Sequence, residues 1–286
     1  MGEAASVDGL RDGDHACLTF SDPDEHLDIL AAFVAEGLDF GHRVICLTDT
    51  VPPDRLPAEL AVREVSTAGP MRRGQLTVRA SDQLWRADQP AGSGVVGFLA
   101  GELDRAVEQG YPGLRVTVDM CWATRPAAAV DQLTAFESAV AALFADGRLT
   151  AICQYDRTSF DPVTLAFAAD THGKVVAAVA YHDDPLVRIC RQHRPAGVRI
   201  AGELDYTRLD PLQQALSEAL RLDQDIHVNL SRLRFIDVPC AAAIAKAALS
   251  LPHGRRMIVT CRPPVSAVFS LVGADEAAQF QVQRAP

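Results

Sequence analysis

The chain has 286 residues, 48% of them hydrophobic, and a formal net charge of −10. That length suits roughly two domains of about 150 residues each, with apolar material for two cores. No run approaches the ~20 apolar residues of a membrane helix, and so acidic a chain is a poor general binder of nucleic acid, whose phosphates call for clustered Lys and Arg.

The start, Met-Gly-Glu-Ala-Ala-Ser, lacks a basic stretch ahead of an apolar block, so a cytoplasmic protein without membrane or nucleic-acid partners is expected. Seven cysteines, Cys17, Cys46, Cys121, Cys153, Cys190, Cys240 and Cys261, are widely spaced with no C-x-x-C pair. An odd, scattered set predicts small buried hydrophobes rather than a disulfide framework. The near-absence of lysine, confined to Lys174 and Lys246, reflects composition and carries no function.

In chain order, β-rich runs at Ala16–Phe20, Arg43–Thr48, Gln75–Arg79, Leu114–Met120, Leu149–Gln154 and Lys174–Tyr181 predict strands. Between them lie helical patterns. Leu27, Leu30, Val34 and Leu38 share one face, with Gly41 as a stop. A second helix is expected from Val95 to Glu108, a third from Ala128 to Ala145, and a shorter one after Asp161-Pro162, where Asp caps and Pro opens the first turn. Strands alternating with helices predict an α/β domain: a mostly parallel sheet with helices on both faces.

Polarity rises over Tyr181–Gly197, and the boundary is placed near Arg194–Gly197, giving domains 1–195 and 196–286. Beyond it a second α/β pattern runs strand, helix, strand, helix, strand, helix. Leu212, Ala215, Leu216, Ala219 and Leu220 form one helical face, and Ile226, Val228 and Leu230 alternate with His227 and Asn229 as a half-buried strand. A small-residue helix spans Cys240–Leu249, a strand Met257–Thr260, and a last helix carries Val265, Val268, Phe269 and Val272 before Gly273.

Several polar residues are candidates for a site. His15 and Cys17 stand two apart on a strand and so share a face. Asp119, Trp122, Tyr155, Asp156 and Arg157 lie near the carboxyl ends of strands, where ligands bind in parallel α/β sheets. Together with His15 they define the expected crevice. Asp156 and Arg157 are alternatively a pair that ties the loop, and Cys17 alternatively core. A metal would need three or four ligands; His15, Cys17, Cys153 and His172 would meet only if the strand order allows, and no metal is expected. A thiol–imidazole nucleophile has no hydrolase motif beside it. His42, His182, His193 and His253 are expected in exposed loops. A phosphate-binding G-x-x-x-x-G-K-[ST] is missing: Gly92-Ser93-Gly94 has no following Lys, and Gly173-Lys174 is followed by Val175.

Ala201-Gly202-Glu203-Leu204-Asp205, followed by Asn229-Leu230-Ser231 and Phe235-Ile236-Asp237, resembles the STAS domain of sulfate transporters and anti-sigma factor antagonists, over about Gly197–Gln283. The resemblance implies a small sheet backed by helices and a Ser or Thr at a helix start, phosphorylated by a partner kinase. Here the chain reads Asp237-Val238-Pro239-Cys240, so the acceptor position holds Val238 or Pro239, neither of which takes phosphate. A partner-binding face over Asp237, Val238, Pro239, Cys240 and Ala243 that works by shape is expected, with Ser231 and Ser266 as substitute acceptors and dimerisation or docking as the plainer use.

Gly13-Asp14-His15-Ala16-Cys17-Leu18, Val118-Asp119-Met120-Cys121-Trp122 and Ile152-Cys153-Gln154-Tyr155-Asp156-Arg157, with Phe160 and His172 beyond, resemble the MEDS domain, a sensory module named from methanogens and methylotrophs. That resemblance spans about Gly9–His182. It implies small-molecule sensing on a RecA-like fold, with His172 joining the ligand-binding candidates and the cofactor unknown. The combination predicts a non-enzymatic signalling regulator that senses a small molecule or partner and binds an anti-sigma factor or related regulatory protein, with a homodimer as a further expectation. The alternatives are an enzyme or nucleotide-binding protein using the first crevice, and a pure scaffold.

Overall fold

The structure is a computed structural model that describes residues 2–81, 84, 93–125 and 130–285. Contacts divide the chain into two compact units, Met1–Ala177 and Ala178–Pro286.

The first unit contains strands β1 (Glu3–Ala5), β2 (His15–Phe20), β3 (Arg43–Thr48), β4 (Leu76–Ala80), β5 (Leu114–Asp119), β6 (Leu149–Asp156) and β7 (Lys174–Val176), in the order β1-β7-β2-β6-β5-β3-β4. Every pairing is parallel. Helices α1 (Pro23–Asp39), α2 (Leu56–Val62), α3 (Ala68–Arg72), α4 (Ser93–Glu108), α5 (Val130–Val140) and α6 (Pro162–Thr171) connect the strands. Both faces of the sheet are covered, which is why β3 and β5 are buried at every position. On one face Ile45, Leu47, Val116 and Val118 pack with Leu99, Leu103 and Phe136 of α4 and α5. On the other, Val44 and Cys46 pack with Leu30 and Val34 of α1 and Leu56 and Leu60 of α2. Each such side chain contributes about 1.5–3 kcal/mol by leaving water.

Helix starts are set locally. The Asp22 carboxylate accepts from the backbone N–H of Asp24 at 2.8 Å and of Glu25 at 3.2 Å, with Pro23 in the first turn. Asp161 does the same for Val163 and Thr164 at the head of α6. The third expected helix is shorter than its pattern: α5 ends at Val140 and tightens into a 3-10 turn over Ala141–Phe144. Ala128, its expected start, lies outside the described residues, as does Gly92 of the glycine-rich triplet.

The second unit contains β8 (Ala180–Asp183), β9 (Val187–Gln192), β10 (Gly197–Leu204), β11 (Ile226–Leu230), β12 (Leu233–Ile236), β13 (Met257–Cys261) and β14 (Phe280–Arg284), with α7 (Leu209–Leu222), α8 (Val238–Leu249) and α9 (Pro263–Leu271). The order is β14-β13-β11-β10-β9-β8, and β12 also pairs with β10. β8, β9 and β10 pair antiparallel and the remaining pairs are parallel, so the sheet is mixed. Ile226, Val228 and Leu230 are buried with Leu212, Leu216, Ile244 and Phe269 of the helices, while His227 and Asn229 are half-exposed, as the alternation predicts. Gly202 has φ +107, and a Cβ there would stand 2.1 Å from the Leu186 carbonyl oxygen, so only glycine fits.

The division between the units differs from the expected one at 195/196. The run Lys174–Tyr181 is two elements: β7 closes onto β1 and β2 of the first sheet, whereas β8 and β9 belong to the second through β10. The polar stretch Tyr181–Gly197 contains a hairpin turn. There the Asp184 carboxylate accepts from the backbone N–H of Leu186 and Val187, both at 2.8 Å, and from Arg208 at 2.7 Å.

Candidate functional site

β2 and β6 are neighbours in register, with Cys17 opposite Cys153 and Thr19 opposite Tyr155. Period-two alternation therefore brings His15 and Cys17 of one strand and Cys153 and Tyr155 of the other onto one face of the sheet. Two further side chains meet them. His172 follows α6 directly as its C-cap residue, and Glu137 comes from α5, where it is 1% exposed.

These residues form a compact polar cluster. His15 Nε2 lies 3.5 Å from Glu137 Oε2 and 3.6 Å from Cys153 Sγ. His172 Nε2 lies 3.6 Å from the same Glu137 oxygen. The Tyr155 hydroxyl donates to Glu137 Oε1 at 2.7 Å. His172 Nδ1 faces the Ala168 carbonyl at 2.7 Å; a carbonyl only accepts, so the ring proton sits on Nδ1 and Nε2 keeps its lone pair. The His15 ring stacks on Phe144 with centroids 4.4 Å apart and lies 4.1 Å from the His172 ring.

Burial decides the charge states. It lowers His15 to a pKa of about 3, with His172 adding to the effect, and lowers His172 to about 4. It raises Glu137 to about 7, against the hydrogen bond from Tyr155, and pushes the Cys153 thiol far up. The imidazole–carboxyl contacts are thus contacts of neutral rings, not ion pairs. Among the described residues, Glu137 Oε2 and His172 Nε2 are buried with no hydrogen-bond partner, an arrangement that costs stability. Four donor atoms, one each from His15, Glu137, Cys153 and His172, lie within 4.8 Å of one another, so these residues could hold a metal ion. Cys17, in the set weighed from sequence, is 0% exposed and is not among the four; burial raises its thiol to about 12.

The remaining candidates lie apart from this cluster. Trp122 is buried and meets Phe136 edge-on, with ring centroids 6.2 Å apart. Asp119 caps the turn after β5 through Cys121 N at 3.0 Å. It also accepts from Asp49 N at 3.1 Å, Thr50 N at 2.8 Å and Thr50 Oγ1 at 2.7 Å, so its oxygens are spent on two loops. Asp156 shapes its own turn by accepting from Thr158 N and Thr158 Oγ1, both at 2.8 Å, and Arg157 donates to Thr19 Oγ1 at 3.2 Å. A pocket with room for about one water adjoins Asp119 and is lined by His26, Thr48, Thr117 and Gln154. The helix start after β2 is no phosphate cradle: Asp22 takes its free N–H groups, and Asp24 and Glu25 add negative charge. Of the histidines expected in exposed loops, His253 is exposed, but His42 is 5% exposed and faces Asp12 at 3.4 Å. His182, on β8, pairs with Asp184 at 2.9 Å.

In the second unit Asp237 caps α8 through Cys240 N at 3.0 Å and also accepts from Tyr206 N at 2.7 Å. Val238 and Pro239 are exposed and Ala243 half-buried. Cys240 is 0% exposed and belongs to the core rather than to a docking face, because the first turn of α8 rolls it inward. Ser231 Oγ donates to Asn229 and Ser266 Oγ to the Pro263 carbonyl.

The two units define an α/β domain with an all-parallel sheet, joined to a mixed α/β domain whose helix α8, capped by Asp237, begins with Val238 and Pro239. The model of the MEDS family, the methanogen/methylotroph, DcmR sensory domain, matches residues 14–173, and that of the Mlab STAS domain matches 187–282. The chain belongs to the MEDS family and carries a STAS domain after it. A search of the curated proteins found no match. Among solved structures, the chain is similar to the flagellar accessory protein FlaH of Methanocaldococcus jannaschii (10% identity, 65% of this chain and 80% of that one, TM-score 0.43). It is similar to a KaiC-like protein of Pyrococcus horikoshii OT3 (13%, 68% and 86%, TM-score 0.47). A third is an uncharacterized protein of Pyrococcus horikoshii in complex with an unknown peptide (9%, 65% and 85%, TM-score 0.50), a likeness of fold alone. A sensory domain followed by a STAS domain marks a sensory or signalling regulator, and a STAS domain implies a protein partner in general. Among the described residues, no helix is long and apolar enough to cross a membrane.

Proposed function

We propose that the chain is a non-enzymatic, cytoplasmic bacterial regulator of transcription. Its first domain senses a small ligand and its second binds an anti-sigma factor or related regulatory protein. The observation that carries this reading is the cluster around Glu137. A carboxyl oxygen and an imidazole nitrogen left unpaired in the interior return nothing to folding, so their use lies in what they bind. In the second domain the partner face is the exposed start of α8, Val238 and Pro239 beside Asp237. With no hydroxyl there, docking depends on shape and on ligand state in the first domain rather than on phosphate. Coupling requires that the ligand bind one arrangement of the chain more tightly than another.

The test is calorimetric titration of the purified full chain with anti-sigma factors of the kinase type. Binding should weaken by tenfold or more in Val238→Asp and shift in Glu137→Gln. A chain that binds none of these regulators, or binds them equally well in both variants, counts against the reading. Catalysis by Cys17 or His15 is the rival; turnover of any substrate that disappears in Cys17→Ala and His15→Ala would favour it.

A further inference from the structure

We propose that His15, Glu137, Cys153 and His172 together form a site for one divalent transition-metal ion of the zinc class. This rests on the sensory reading above and gives its ligand a chemistry.

The donor set is the first argument. Two imidazole nitrogens, a sulfur and a carboxylate oxygen suit zinc, cobalt or ferrous iron, whereas calcium and magnesium take oxygen ligands throughout. Geometry is the second. Bonds of about 2.0–2.3 Å in a tetrahedron set ligand atoms roughly 3.3–3.8 Å apart. Three of the six donor–donor distances, 3.5, 3.6 and 3.6 Å, fall in that interval, and all four donors lie within 4.8 Å of one another. The two nitrogen–oxygen contacts, 3.5 and 3.6 Å, are too long for good hydrogen bonds, and all three are short enough to share an ion.

Chemistry at each atom agrees. The proton on His172 Nδ1 is held by the Ala168 carbonyl, which aims the Nε2 lone pair at the centre of the cluster. The Tyr155 hydroxyl fixes Glu137 Oε1 and leaves Oε2 free to coordinate, the outer-shell support that metal ligands ordinarily have. With Cys153 as thiolate and Glu137 as carboxylate, their protons passing to solvent, two negative charges balance the ion's two positive ones. A buried site then carries no net charge, as a dry interior demands.

The four ligands come from β2, α5, β6 and the end of α6. An ion would therefore pin α5 and the end of α6 to the one sheet face that carries His15 and Cys153.

The experiment uses the full chain, stripped with EDTA, dialysed and titrated with cobalt(II). Expected are one equivalent bound, intense visible bands of tetrahedral cobalt, a sulfur-to-cobalt charge-transfer band in the near ultraviolet, and loss of all three on adding zinc. Cys153→Ser should remove the charge-transfer band. Glu137→Gln and His172→Gln should weaken binding at least tenfold, with unchanged circular dichroism showing that they fold, and His253→Gln should leave it unchanged. Absence of the charge-transfer band in the unsubstituted chain, or its persistence in Cys153→Ser, overturns the proposal. If the ion binds as stated but affinity for the anti-sigma partner does not respond to it, the metal site stands and the sensory reading falls. If no ion binds while Glu137→Gln still shifts partner affinity, the reverse holds.

Discussion

Glu137 shows how one buried residue redirects the reading of a site. On α5 it shares the inward face of Leu133, Phe136 and Val140, is 1% exposed, and gathers Tyr155, His15 and His172 around its two oxygens. His26 makes a different use of burial. It stacks on Phe20, meets Gln154, and has Asp119, Arg63 and Asp156 around it. Burial lowers its pKa below the unfolded value of about 6.5. The unfolded chain then takes up the proton first, so the stability tied to neutral His26 is complete above about pH 6.5 and declines as the pH falls. Urea unfolding followed from pH 8 to pH 5 should show that decline, with a flatter slope in His26→Gln. The buried pair of Arg43 and Glu102, 2.6 Å apart, is expected to be costly to break. Glu102→Ala should lose about 3 kcal/mol, the low end for a charge left buried without its partner, because Arg43 still donates to the Gly74 carbonyl and Gln109. Equilibrium denaturation measures it.

At the scale of elements, the start of α8 is held by one carboxylate with two tasks. Asp237 caps Cys240 N and takes the Tyr206 N–H from the loop after β10. Asp237→Ala should therefore cost about 1–2 kcal/mol, toward the upper range for a lost cap, read as a fall in the denaturation midpoint. Gly202 fixes the crossing of β10 past the turn before β9. An alanine there meets both a forbidden φ and the Leu186 carbonyl, and Gly202→Ala should cost more than about 1 kcal/mol. Element identity was largely legible: β3 and β11 run over the residues their patterns mark, and α6 opens at its Asp-Pro signal. The short β12 and the hairpin strand β9 were not, since they gain their place by pairing with β10 and not from a local pattern of their own.

For the whole molecule, the division at Ala177/Ala178 carries a direct consequence. Fragments 1–177 and 178–286 each keep a complete sheet and core, and each should fold alone, as circular dichroism and cooperative unfolding would show. A fragment beginning at residue 196 loses β8 and β9, bares the edge of β10, and should aggregate, as an unpaired strand edge invites. Sedimentation of the two versions separates these outcomes. The polar run Tyr181–Gly197 falls inside the second unit, where a turn within a sheet has the composition that a segment between domains also has.

Sequence by itself determined the α/β alternation, both family resemblances and the capped start of α8 without a hydroxyl, and it singled out His15, Cys153 and His172 without showing that they meet, because each is written in local order: period, cap signal or a recognisable block. Only the tertiary structure decided which histidines and cysteines meet. It exchanged Cys17 for Glu137, drew Asp119 and Asp156 away into loop-holding bonds, and turned Cys240 inward. The physical reason is that a donor cluster is a matter of distance across neighbouring strands and a covering helix, and strand order is set by packing of the whole sheet rather than by any segment of the chain.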